Sequence, residues 1–232
     1  SADPVELAAG LQQGASGVTT NPVLTHTALR AHPERWTAAL EGVPARLSGA
    51  RRAEELTRRV VTRTSEALRP YYGGEDARQG YVCGQVNPAR AGDREVMLAM
   101  ARRYHAWAPN IAVKLPVTAA GLDVLEECAY EGITVTATIS FCVPQVVAVA
   151  ERYRRAQARA QRAGVVPGRC YAVIMIGRLD DYLTDIAHDQ RAPRVPGAAA
   201  EGELGAARQL RERDGADGAR RRPQVARGLG HD

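Results

Sequence analysis

Between residues 80 and 187 the chain alternates short apolar runs with longer stretches of helical rhythm. The runs are GYVCGQV (80–86), NIAVKLPVT (110–118), ITVTATIS (133–140) and CYAVIMIG (170–177). Between and after them lie DREVMLAMARRYHAWA (93–108), AAGLDVLEECAYEG (119–132), VPQVVAVAERYRRAQARAQRAG (143–164) and RLDDYLTDIA. Asp93 stands at a helix start, and Gly132 and Gly164 at helix ends, where a residue free to turn left-handed is wanted. β-Branched runs that are apolar nearly throughout are covered on both faces. The repetition therefore predicts an α/β fold with a parallel sheet under helices. Pattern alone does not separate a closed barrel from an open doubly wound sheet. The glycine fingerprint of a dinucleotide fold is absent, and this favours a (β/α)8 barrel.

Upstream, Asp3-Pro4 opens a helix through VELAAGLQQG, and ASGVTT (15–20) reads as a short strand stopped by Asn21-Pro22. Residues 45–69 carry Leu47, Leu56, Val60, Val61 and Leu68 on a helical rhythm, with a break at Gly49. The arginines of that stretch read as a solvated face. After residue 190 the pattern stops. Residues 191–232 contain no Ile, Phe, Tyr, Trp or Met and are dominated by Arg, Gly and Ala. Such a segment does not offset its ordering entropy by burial. The expectation is a barrel-type domain over 1–190 and a poorly ordered tail over 191–232.

A chain of 232 residues suffices for one domain with a sizeable core. Much of the net charge of +5 lies in the tail. No arginine stripe interleaved with aromatics, zinc-finger spacing or helix-turn-helix is present, so a nucleic-acid partner is not expected. Cys83, Cys128, Cys142 and Cys170 form no CxxC pair and read as free thiols rather than a metal or redox site. SADPVELAAG lacks the basic start and apolar core of a signal peptide, and no run is long enough to span a membrane. A cytoplasmic location with no membrane partner is the resulting expectation.

Lys114 is the only lysine. It sits near the C-terminal end of an apolar strand, the end at which barrel enzymes place their chemistry. Lysine held among Val, Ile and Leu is partly desolvated, which disfavours the ammonium form. A neutral amine can attack a ketone and form an imine, an electron sink for carbon–carbon cleavage. A lysine snorkelling into water is the bland alternative, and neighbouring motifs decide between them. GVTTNP (17–22), VKLPVTAAGL (113–122), GITVTATISF (132–141) and IGRLDD (176–181) stand in one order along the chain. In that order and spacing they resemble the second, fourth, fifth and sixth strand segments of the transaldolase and fructose-6-phosphate aldolase family.

The resemblance implies a class I aldolase on a (β/α)8 barrel. It makes Lys114 the imine-forming lysine and Thr138 the holder of a catalytic water. Gln85 takes the place of a third-strand glutamate. Thr20, Asn21 and Thr136 become substrate ligands, and Arg178 the phosphate ligand, a role suited to its donor fork. It implies sugar phosphates as the small-molecule partners and no metal or organic cofactor, and leaves a homo-oligomer open. Several positions depart from the family pattern. The acid–base aspartate of the first strand would fall immediately before residue 1, and Asp3 fits the helix start instead. Gln85 cannot act as a carboxylate. Thr136 replaces an asparagine, Val173 a phosphate-binding serine and Met175 an aromatic. The first strand and last two βα units have no recognisable counterpart, so an incomplete barrel is expected. The implied activity is transfer of a dihydroxyacetone unit between sugar phosphates, as in the pentose phosphate pathway. The alternatives are a lysine aldolase that releases dihydroxyacetone or uses another ketose, and a non-catalytic barrel remnant that binds a sugar phosphate or a protein.

Overall fold

The computed structural model describes residues 2–73 and 79–189. The chain separates into two compact units, Ser1–Met175 and Ile176–Asp232. In the first, α1 (Pro4–Gln12), α2 (Pro22–Ala31), α3 (Thr37–Leu40) and α4 (Gly49–Leu68) precede the sheet. Then β1 (Val82–Gln85), α5 (Arg94–His105), β2 (Ile111–Pro116), α6 (Ala119–Tyr130), β3 (Val135–Ser140), α7 (Val143–Ala163) and β4 (Cys170–Ile174) alternate. In the second unit the described part is α8 (Ile176–Asp189). The tail over 191–232 lies outside the described residues.

All strand pairs are parallel, and the sheet order is β1-β2-β3-β4. Chain order and spatial order coincide. A doubly wound sheet would reverse its strand order at a switch point. Unbroken winding is the barrel pattern, and the sheet is an open portion of a (β/α)8 barrel.

One face of the sheet packs under helices. Val82, Ile111, Val113, Leu115, Val135 and Ala137 meet Val61, Leu68, Met97, Leu98, Val124 and Leu125 there, all of them 5% exposed or less. Placing these side chains out of water stabilises the layer at about 25 cal/mol per Å² of apolar surface. Asn110, fully buried, donates to the carbonyls of Ser65 (2.9 Å) and Gly80 (2.8 Å). It ties the approach to β1 to the end of α4. Two salt bridges from Arg159, to Glu126 (3.5 Å) and Glu127 (2.9 Å), and one from Arg152 to Glu126 (3.2 Å) fasten α7 to α6. Arg159 also lies over the Tyr130 ring at 4.3 Å.

Three local expectations are corrected. Residues 15–20 form no strand: only an isolated parallel bridge, Val18 to Val82, joins them to β1. The chain leaves the ladder because Asn21 caps α2 and Pro22 starts it. The helical stretch read over 45–69 with a break at Gly49 is helix only from that break onward: the φ of +52° at Gly49 turns the chain where a side chain would be strained. The run read as strand to residue 177 ends at Ile174, and Ile176 already belongs to α8.

Candidate active site

The β2 register sets Lys114 between Gln85 on β1 and Thr136 on β3. Because side chains alternate along a strand, Cys83, Lys114, Thr136, Thr138 and Tyr171 fall on the face away from the helices. There they line a cavity of about 580 Å³ together with Ser16–Thr19, Val173 and Met175.

The Lys114 side chain is half-buried. Desolvation pulls its pKa below the ordinary lysine value, and the Cys83 thiol opposes this. The shift favours the neutral amine that imine formation requires. Its Nζ donates to Thr19 Oγ1 at 3.3 Å. Behind it, Cys83 Sγ and Thr136 Oγ1 lie 3.4 Å apart. Thr138, almost fully buried, directs its hydroxyl to Met175 Sδ at 3.6 Å. The four cysteines are free. Among the described residues no group of His, Cys, Asp or Glu gathers to hold a metal ion, and no helix is long and apolar enough to cross a membrane.

The other expected site residues are distributed differently. Thr20 is buried and donates to the Cys83 carbonyl at 2.6 Å, so its hydroxyl joins two backbone segments. Asn21 Oδ1 accepts the Leu24 amide at 2.7 Å as the cap of α2. Gln85 lines a separate cavity of about 290 Å³ with Pro22, Arg51, Asn87 and Tyr104. Arg178, in the second unit, is largely exposed, and its Nη1 lies 3.8 Å from Asp181 Oδ2. Thr19, Cys83 and Tyr171, which line the lysine cavity, were not singled out by the sequence reading. The signal for Thr19 was the alternation itself: with Val18 against Val82, its neighbour Thr19 turns to the opposite face.

The sequence model of the family described as Transaldolase/Fructose-6-phosphate aldolase matches residues 2–211. The chain belongs to this family. Among curated transaldolase relatives, Transaldolase 2 of Nostoc punctiforme is 32% identical over 145 residues, 62% of this chain and 38% of its own length. Transaldolase 1 of Streptomyces avermitilis is 32% identical over 173 residues, 72% of this chain and 45% of its own. The Transaldolase of Acidothermus cellulolyticus is 31% identical over 200 residues, 82% of this chain and 51% of its own. The chain thus spans about half the length or less of these transaldolases. Lys114 is the only lysine of the chain.

Proposed function

We propose that the chain carries out transaldolase-type transfer of a dihydroxyacetone unit between sugar phosphates through an imine on Lys114. The observation that carries this reading is a single, partly desolvated amine facing a cavity edged by three threonines, Thr19, Thr136 and Thr138. In the reaction, Lys114 Nζ attacks the C2 carbonyl of a ketose phosphate and water leaves. The protonated imine draws electrons from the C3–C4 bond, which breaks as the C4 hydroxyl gives up its proton to a water held by Thr138. An aldose phosphate departs and an enamine stays on Lys114. Its C3 adds to the aldehyde of an acceptor aldose phosphate, the new alkoxide takes a proton, and hydrolysis returns the amine. Thr136 contacts substrate hydroxyls. Gln85, the register neighbour of Lys114, carries no carboxylate and lines a separate cavity, so no acid–base step is assigned to it. Thr20 and Asn21 anchor the segment from which Thr19 projects. By its resemblance, Arg178 is the phosphate ligand of this reading.

Borohydride reduction in the presence of fructose 6-phosphate, followed by intact-mass analysis and peptide mapping, tests it. A reduced adduct on Lys114 is expected. A folded sample without adduct would return the chain to the reading of a non-catalytic sugar-phosphate-binding remnant.

A second reading is favoured by Val173, which presents an apolar wall to the cavity where the family pattern has a phosphate-binding serine. It is a lysine aldolase that releases dihydroxyacetone or accepts an unphosphorylated ketose. Equal turnover with and without the substrate phosphate supports it, and strong phosphate dependence excludes it.

A further inference from the structure

Ile139 has φ +63°. It is the one non-glycine residue among those described that is held in the left-handed region, and a β-branched side chain is strained there. It also marks an irregularity in the sheet. Ala137 pairs with Ala172 and Ser140 with Ile174, so two residues of β3, Thr138 and Ile139, stand opposite the single Val173 of β4. This is a β-bulge, a device that re-aims side chains beside functional sites. Without it Ser140 would take the next place on the cavity face. With it Ser140 is fully buried and does not line the cavity, Ile139 is exposed, and Thr138 is the last β3 residue on the cavity.

One side chain holds this geometry. The Gln145 carboxamide, in the first turn of α7, accepts the Phe141 amide at 2.8 Å and the Cys142 thiol at 3.3 Å. Its Nε2 donates to the Ile139 carbonyl at 3.2 Å. Accepting the Phe141 amide resembles the reach of a capping glutamate or glutamine, taken one residue before the N-cap Cys142, and a carboxylate would serve. The grip on the Ile139 carbonyl is different, because it needs a donor and therefore the amide. The salt bridges between α6 and α7 give Gln145 a fixed base.

We propose that Gln145 is a positioning residue: its carboxamide pins Ile139 in the left-handed conformation and thereby sets the direction of Thr138 into the Lys114 cavity. The inference rests on the imine reading for its catalytic consequence. The water that Thr138 holds must reach both the C4 hydroxyl and the imine carbon, so a change in its placement acts on turnover more than on binding.

Gln145→Glu separates capping from positioning. It keeps the acceptor contacts with the helix start and loses the donor to Ile139. Two readouts apply: the Thr138 methyl resonance in substrate-free protein, and kcat and KM for ketose turnover. The Gln145→Glu chain is expected to stay folded, with a displaced Thr138 methyl signal. Its kcat should fall roughly tenfold to a hundredfold, as misplacement by about 1 Å produces, at nearly constant KM. Ile139→Gly in the same chain should restore both readouts, because glycine adopts the left-handed region without strain. An unmoved methyl signal with unchanged kcat, or no recovery on adding Ile139→Gly, would overturn the proposal. If the unsubstituted chain gives no borohydride adduct, the imine reading falls on its own. The methyl signals of the Gln145→Glu and doubly substituted chains still decide whether Gln145 sets Thr138.

Discussion

The Lys114 amine donates a hydrogen bond of 3.3 Å to the Thr19 hydroxyl, joining the second strand of the sheet to a segment 95 residues earlier. Val18, bridged to Val82, places this contact, and the Thr20 hydroxyl fixes the segment to the Cys83 carbonyl. The amine is thus aimed by a residue from outside its own strand pair. The Thr19 hydroxyl accepts from the amine at the edge of the cavity that both residues line.

Thr19→Val keeps the shape and removes the acceptor. Thr19 is exposed, so folding should be unaffected. A hydrogen bond of this kind contributes about 1 kcal/mol, and imine formation should slow about five- to tenfold. Rapid-quench borohydride trapping measures this rate directly. An unchanged rate would mean that the hydroxyl does not orient the amine.

The strand–helix alternation was legible because strands under helices require apolar runs, and the caps at Asp93, Gly132 and Gly164 announced helix ends. Lys114 stood out as the one lysine near the end of an apolar strand, and Thr136 and Thr138 through the resemblance carried by GITVTATISF. The choice between Thr19 and Thr20 was not legible. It depends on the register of Val18 against β1, and a shift of one residue exchanges the two faces. Asn21 showed a polar side chain at a strand end, but a side chain that caps a helix and one that meets a ligand look the same in sequence. Gln85 shares a register position with Lys114 yet lines another cavity. The bulge at Thr138–Ile139 left no trace, since isoleucine is the residue type least expected at a left-handed position.

Leu125 tests the sheet–helix layer. It is fully buried among Val113, Leu115 and the neighbouring helices. Leu125→Ala removes packed surface and leaves a cavity, which costs about 2–5 kcal/mol. Val166→Ala is the control: Val166 is 85% exposed, and such a change falls within about 0.5 kcal/mol. Urea unfolding should give a lowered midpoint for the first and an unchanged one for the second. Equal midpoints would mean that Leu125 does not lie in the core.

Glu55 gives the fold a dependence on acid. A hydrogen bond from Arg58, supported by Arg59 and opposed by burial, lowers its pKa from 4.5 to about 2. A carboxylate whose folded pKa is depressed contributes stability above its unfolded pKa. That contribution fades as pH falls from about 4.5 toward about 2. Glu55→Gln should therefore be less stable than the unsubstituted chain at pH 7. The difference should close as the solution is acidified through that window. Denaturant midpoints at a series of pH values measure it, and a difference that persists unchanged at the lowest pH would assign the effect to packing instead.

Lys114 works in the opposite sense. Burial lowers its folded pKa below the usual 10.5, so between the two values the unfolded chain binds more protons than the folded one. Stability at this site therefore rises with pH through that interval. At neutral pH the folded chain carries the cost of a partly desolvated ammonium. Lys114→Met fills similar space without charge, so it should abolish the borohydride adduct while raising the denaturant midpoint at pH 7. The gain should shrink as pH rises through the interval below 10.5 and vanish above it, where the amine is neutral in both folded and unfolded chains. The rate of imine formation by the unsubstituted chain should reach its plateau below the pH at which an exposed lysine would. A Lys114→Met chain less stable at pH 7 would show that the amine is fully satisfied in the fold. That outcome would remove the desolvation on which the proposed imine role of Lys114 depends.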